Sequence, residues 1–232
     1  INTTLVNDDI DQLESNLIFD YQSEDLYFKS LFGLYEKLNI NDNKKYEYLL
    51  PYLSLEKNIL TDDKIGNFDF ISNFRVRNYD VNKQTEFLVN DIKWTSNKWL
   101  FNNLFENQFI GMVKNTNYNA RNTSNFKNEE TNNELSGVLG FYSSLPLVKK
   151  HKSKKQNYLF TPKFLLRYAP GHMRNLNESK KLSYTDLFEL DRASEFDVIE
   201  TGLSATLGFE YKINEIQGSK IGRQQMSVSY TH

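Results

Sequence analysis

The chain has 232 residues, 28 Lys+Arg against 30 Asp+Glu and a formal net charge of −2, so it suits one domain or a piece of a larger one and lacks the basic excess of a dedicated nucleic-acid binder. With no cysteine, a disulfide scaffold and any thiolate metal site are excluded. No apolar run approaches the roughly 18–20 residues of a membrane-spanning helix, which leaves a membrane β-barrel open, because only alternate residues of its strands meet lipid.

Period-two alternation dominates, and a strand, unlike a helix, puts each alternating set on its own side. Over residues 13–22, Leu13, Leu17, Phe19 and Tyr21 oppose Glu14, Asn16, Asp20 and Gln22. Less regular candidates follow at 26–38 and 46–59. Over 67–77, Phe68, Phe70, Phe74 and Val76 oppose Asn67, Asp69, Asn73, Arg75 and Arg77. Further candidates lie at 85–94, 100–113 and 135–147. Over 158–168, Tyr158, Phe160, Phe164, Leu166 and Tyr168 oppose Thr161, Lys163 and Arg167. After a candidate at 182–190 comes the clearest pattern, 198–213. There Ile199, Leu203, Ala205, Leu207, Phe209 and Ile213 alternate with Glu200, Gly202, Ser204, Thr206, Glu210 and Lys212. That stretch is longer than the roughly 9–11 residues a tilted strand needs to cross a bilayer. A last candidate spans 221–230.

Asn/Asp/Gly/Ser clusters at 39–43, 61–64, 78–83, 115–133, 149–157, 170–179 and 214–220 fit strand connections. Their uneven lengths match the short turns and long loops of outer-membrane barrels. The prediction is an all-β fold: an antiparallel up-and-down meander of about eleven strands, forming one segment, 1–232, of a large outer-membrane β-barrel. The start at Ile1 without a leader and the end at His232 inside an alternating pattern suggest an internal piece of a longer protein. Pro51, Pro146 and Pro162 fall inside the expected strands. Proline cannot donate to the ladder, so the strands bend there or the boundaries shift.

A soluble sandwich also has one apolar face. Three features favour the membrane: long strands, aromatics near strand ends (Tyr158, Tyr168, Tyr211, Trp94, Trp99) and small or singly charged residues on the opposite face. On that reading Asp69, Asn73, Arg75, Arg77, Glu200, Ser204, Thr206 and Glu210 face a lumen. Phe68, Phe70, Phe74, Leu203, Leu207 and Phe209 face lipid. Arg75 and Arg77 would offer fixed positive charge to a phosphorylated ligand, or else pair with a neighbouring carboxylate such as Asp91. Lys149, Lys150, Lys152, Lys154 and Lys155 either contact anionic phosphates in a loop or form a solvated hairpin tip.

Catalytic motifs are absent: the sequence has no His-Glu-x-x-His, Gly-x-Ser-x-Gly, P-loop or Rossmann glycine pattern. His151, His172 and His232 are scattered. Asp8, Asp9 and Asp11 near Glu14 lack the spacing of a calcium loop, and alternation splits Asp186, Glu189 and Asp191 between faces. No enzyme activity, cofactor or metal is expected.

The order and wording of the strands resemble LptD, the lipopolysaccharide-assembly family of the outer membrane (organic solvent tolerance proteins). The resemblance rests on Leu49-Leu50-Pro51-Tyr52-Leu53, on Gly66 to Arg77 followed by Lys83 to Trp94, and on Leu145-Pro146-Leu147 with Phe160-Thr161-Pro162-Lys163. Its best stretch is Leu187-Phe188-Glu189-Leu190-Asp191-Arg192, then Asp197-Val198-Ile199-Glu200-Thr201-Gly202-Leu203. Glu195-Phe196 and Val198 depart from the family pattern, and the first forty residues match only in strand rhythm. The resemblance implies a barrel in the bacterial outer membrane that receives lipopolysaccharide from periplasmic bridge proteins and passes the saccharide through a polar lumen. It also implies a lateral gap for the acyl chains and an LptE-like lipoprotein in the lumen. This chain would supply the middle of the wall, without the gate or the periplasmic domain that docks the bridge. The competing readings are a porin or solute transporter, a soluble β-sandwich binding module and, last, an outer-membrane barrel enzyme. The sandwich requires Phe68, Leu203 and Phe209 to share a buried core; the barrel requires them in an exposed apolar belt.

Overall fold

Alternating segments of this length bury or expose one side at a time, and the chain folds accordingly into strands. A computed structural model describes residues 12–38, 43–124, 126–127, 130–151, 156–171, 186–192, 197–217 and 220–231. The strands are β1 (Gln12–Gln22), β2 (Leu26–Lys37), β3 (Tyr46–Asp62), β4 (Gly66–Tyr79), β5 (Lys83–Thr95), β6 (Trp99–Phe101), β7 (Phe105–Arg121), β8 (Asn132–Ser144), β9 (Leu147–His151), β10 (Gln156–Ala169), β11 (Gly202–Gln217) and β12 (Lys220–Thr231). All belong to one antiparallel meander ordered β1-β2-β3-β4-β5-β7-β8-β10-β11-β12, with β6 on β7 and β9 on β10. Helical structure among the described residues is limited to short 3₁₀ turns at Asn43–Lys45 and Asp186–Phe188. Among the same residues no pairing returns β12 to β1, so the sheet is not closed.

Each proline has a local accommodation. The β2–β3 register shifts between Leu31 and Gly33, opposite Leu50 and Pro51, which is the bulge a strand proline needs. β8 stops at Ser144 and β9 resumes at Leu147, so Pro146 lies in the break. Pro162 stays inside β10, where its carbonyl accepts from the Leu145 N–H at 3.0 Å. In an antiparallel strand a residue's N–H and C=O point to the same neighbour. The donor that Pro162 lacks therefore falls on the side where β8 is already interrupted.

Four expected boundaries are corrected. The 198–213 strand begins only at Gly202 and runs to Gln217, with Val198 and Ile199 buried in the coil before it. The 100–113 strand divides at a tight turn whose Asn102 and Asn103 have φ of 52° and 56°; Asn tolerates this left-handed region. The 115–133 loop is shorter than expected, because β7 continues to Arg121 through Asn115, Thr116 and Asn117. Polar residues on a strand face are no obstacle when that face is paired. The described part of 182–190 is the 3₁₀ turn and a bend.

The chain divides into two compact units. The first is Ile1–Lys57, Ile71–Asn90 and Thr116–Asn133. Its centre is a ring cluster in which Phe87, Tyr118 and Phe126 have centroids 5.2–5.6 Å apart, with the Arg75 guanidinium over Phe87 at 5.5 Å. The second is Asn58–Phe70, Asp91–Asn115 and Glu134–His232. Its core groups Met112, Val138, Ala169 and Ile199, with Leu190 packed against them. Gly140 leaves room for Leu190, since a Cβ there would lie 2.7 Å from Leu190 Cδ2.

The β3–β4 turn in the second unit is fixed from several sides. Asp62 Oδ1 accepts from the Lys64 and Ile65 N–H groups at 2.7 and 3.1 Å, and Trp94 Nε1 donates to the Ile65 carbonyl at 2.7 Å. Gly66 closes the turn with φ of 96°, and a Cβ there would lie 2.1 Å from the Thr95 carbonyl oxygen. Gly66→Ala combines a disfavoured φ with a backbone collision, so it is expected to cost at least about 2 kcal/mol. The check is a denaturant titration of the folded protein beside Gly171→Ala, where a Cβ meets nothing within 4 Å.

Candidate functional site

Each unit exposes many large apolar side chains. In the second unit, one face exposes Leu203 at 70%, Leu135 at 64%, Leu207 at 58% and Tyr168 at 56%. Ile92, Phe109, Val113, Leu139 and Leu166 join them. The interleaved residues point the other way and are covered: Asp91, Lys114, Arg167, Ser204 and Thr206 are all buried. Lys114 is 3% exposed and Arg167 1%. Register confirms the alternation, because Tyr168 sits opposite Leu203 while Arg167 sits opposite Ser204. In the first unit Leu17, Phe19, Phe32, Leu34, Leu50 and Leu88 are exposed, and β1 is exposed along its whole length.

The buried face of the second unit is covered by the chain itself. The segments 186–192 and 197–201, between β10 and β11, lie against β7, β8 and β10 through Leu190 and Ile199. Arg167 holds them there. Its Nε donates to the Leu190 carbonyl at 2.5 Å, and its Nη2 donates to the Glu200 carbonyl. Arg192 completes the tether with a bidentate pair to Glu200, Nε to Oε2 at 2.8 Å and Nη2 to Oε1 at 2.7 Å. Such forked pairs are the strong form of the charged hydrogen bond. Beside them Lys114 Nζ lies 3.0 Å from Asp91 Oδ2 and 3.8 Å from Asp191 Oδ2. Burial pushes the Asp191 carboxyl up to about 6, with Lys114 opposing the shift and Asp91 adding to it.

The structure places most of the expected polar-face residues in partnerships, Ser204 and Thr206 being buried and the others half-buried. Asn73 accepts from the Tyr52 hydroxyl at 3.1 Å. Arg77 forks onto Glu47, with Nε to Oε1 at 2.6 Å and Nη2 to Oε2 at 2.9 Å. Asp69 accepts from Asn58 at 2.8 Å. Glu210 is held by Lys163 and by Lys212, the latter at 3.0 Å. Ser204 and Thr206 lie on the buried face as expected. Glu200 does not belong to the β11 face: it precedes the strand and serves the tether. Asp91 engages Lys114, leaving Glu47 as the carboxylate that pairs with Arg77.

Of the expected lipid-facing set, Leu203 and Leu207 are exposed. Phe70 and Phe74 are half-buried, Phe68 stacks on Trp94 at 6.4 Å, and half-buried Phe209 lies 5.3 Å from Phe160. In the lysine run, Lys149 is exposed on β9. The Lys150 side chain and Lys152, Lys154 and Lys155 lie outside what is described, as do Asp8, Asp9, Asp11, His172 and His232. Among the described residues no group of three or more acidic or histidine side chains could hold a metal ion, and no helix is long and apolar enough to cross a membrane.

Sequence reasoning missed the tether. Arg167 was legible only as one polar residue in an alternating strand, and Arg192 only as part of a family-like string. The usable signal was Val198-Ile199: two adjacent apolar residues cannot both obey one alternation. No protein-family model matches the chain, and a comparison with curated proteins finds no match. Fold and site together define an all-β antiparallel meander whose second unit exposes an apolar face and buries hydrogen-bonded charges among apolar side chains on the other.

Arg167→Met takes the guanidinium donor from the Leu190 and Glu200 carbonyls, each such charged hydrogen bond being worth about 1.5–3 kcal/mol. The expected outcome is proteolysis within 186–200 at least about tenfold faster than in the parent, with the sheet's circular dichroism retained and Arg167→Lys intermediate. Unchanged resistance in Arg167→Met would show that the apolar contacts of Leu190 and Ile199 suffice.

Proposed function

We propose that this chain forms part of the wall of a large outer-membrane β-barrel that carries lipopolysaccharide to the outer leaflet and inserts it there. The observation that carries the reading is the exposed apolar face of the second unit, with leucines outward and Lys114 and Arg167 buried on the other side among Met112, Leu165 and Ile199. Water outside and an apolar core inside would favour the reverse arrangement. Hydrocarbon outside and a polar interior favour this one. Long strands hydrogen-bonded to their neighbours in one meander support the reading, because backbone groups at membrane depth need partners. The open β1 and β12 edges would pair with further strands of the barrel.

The lipopolysaccharide part of the reading rests on the ordered resemblance to LptD, and two structural facts support it. The proline-bearing segments around Pro146 and Pro162 are hydrogen-bonded neighbours. The stretch of strongest resemblance coincides with the tethered segment and its Arg192–Glu200 pair. An LptE-like lipoprotein and the periplasmic bridge proteins are the partners this reading brings with it. Of the three residues a sandwich module would bury together, Leu203 is exposed, while Phe68 and Phe209 are half-buried.

Two measurements test the proposal at different levels. Leu207→Arg places a charge on the apolar face. In a bilayer it is expected to destabilise folding by about 2–4 kcal/mol near the midplane. On a water-exposed surface the same change stays within about 0.5 kcal/mol. Unfolding titrations in lipid vesicles separate the two. Depletion of the full-length protein, with newly made lipopolysaccharide followed by membrane fractionation, tests the cargo. Arrest before the cell surface is the expected result; normal delivery with reduced solute uptake would make the protein porin-like.

A further inference from the structure

We propose that the outer groove between β9, β10 and β11 is a binding site for one anionic glycerophospholipid, with its phosphate at Lys149 and an acyl chain along Leu147 and Phe160. The inference rests on the membrane reading above and adds a ligand to it. The groove has a volume of about 470 Å³ and is lined by Leu147, Val148, Lys149, Tyr158, Phe160 and Tyr211. That volume falls within the roughly 300–1,000 Å³ of small-ligand sites.

Register explains how these residues come together. Lys149 pairs with Tyr158, Leu147 pairs with Phe160, and Phe160 in turn pairs with Tyr211. Directly opposed residues share a face, so the amine, the phenols and the apolar side chains lie on one side of the sheet. It is the same side as Leu166, Tyr168 and Leu203, the exposed apolar face. Tyr158 and Tyr211 stack with centroids 6.4 Å apart and planes at 21°, giving the groove a rigid aromatic wall.

The chemistry is divided along the strands. Leu147 and Phe160 are the apolar part, and both are exposed. Lys149 and Tyr158 lie toward the β9–β10 connection, the end of the strand pair that would sit at headgroup depth. Among the described residues the lining includes a cation and two phenols and no carboxylate. From Lys149 to Phe160 the sequence carries five lysines and neither Asp nor Glu. An apolar trough ending in an ammonium group and a hydroxyl donor complements an acyl chain ending in a phosphate. A solvated hairpin tip needs no such trough.

The test uses the full-length protein reconstituted into phosphatidylcholine vesicles with and without phosphatidylglycerol. Lipid retained after detergent extraction and washing is counted by native mass spectrometry. The expected result is insertion into both vesicle types and selective retention of phosphatidylglycerol. Lys149→Gln should lower that retention about fivefold, the effect of one lysine charge near a lipid surface. Leu147→Trp, which fills the trough, should abolish it while leaving insertion intact. Insertion without selective retention, or retention unchanged in both variants, overturns the site and leaves the membrane reading standing. Failure to insert into either vesicle overturns both.

Discussion

Charge cannot be buried on a β-sheet without a partner, and here it is the polar face that is buried. Removing an unpaired cation from water costs several kcal/mol, so each buried cation has to find an acceptor within reach of a strand. Lys114 finds Asp91 on the neighbouring strand β5. Arg167 finds no carboxylate; it takes backbone carbonyls from the chain that follows β10. Meeting that need folds the connection back onto the sheet. Once the Leu190 and Glu200 carbonyls are fixed, Leu190 and Ile199 lie over Met112, Val138 and Ala169, and Arg192 reaches Glu200 to close the fork. The mixed composition of the buried face follows: charge sets the anchor points, and small apolar patches fill between them.

The opposite face obeys a simpler rule. Leu135, Leu139, Leu203 and Leu207 have no covering layer, and contiguous exposed apolar surface on this scale marks a place where something other than water belongs. A strand has only two faces, so a chain that commits its alternate residues to paired charge must send the rest outward. The aromatic residues near strand ends fit the same division. Trp94 stacks on Phe68 yet donates its indole N–H to the Ile65 carbonyl, an arrangement suited to a boundary between polar and apolar surroundings.

The strands were legible because alternation is a local property. Phe68 to Val76 and Leu203 to Phe209 declare their faces without any knowledge of neighbours, and β1, β4, β10 and β12 fall close to where the pattern puts them. What was not legible depends on pairs of distant residues. Nothing in the sequence near Arg77 points to Glu47; the meander brings them together. Strand β7 ran past its expected end because Asn115, Thr116 and Asn117 read as loop residues, although Thr116 is buried in a ladder. Val198 and Ile199 looked like the start of a strand because their hydrophobicity continued that of Leu203. Their burial in coil comes from the Arg167 anchor, a contact across the sheet that no local pattern encodes. The prolines sit between these cases: the rule against strand proline located the bulge and the break, and only the pairing showed which neighbour absorbs each one.

On the proposed lumen reading, the pairing of the charges also bears on what such a face would carry. Arg77, Lys114, Lys163 and Arg192 each lie against a carboxylate. A polar conduit lined with unpaired cations would hold an anionic saccharide tightly, and conduction requires binding favourable enough to admit a cargo yet weak enough to release it. On that reading, the partly exposed pairs Arg77–Glu47 and Lys163–Glu210 would exchange partners at a smaller cost than Lys114 and Arg192, which the chain covers. Pairing of that kind would keep a charged face stable against the sheet and would also keep it from trapping an anionic cargo.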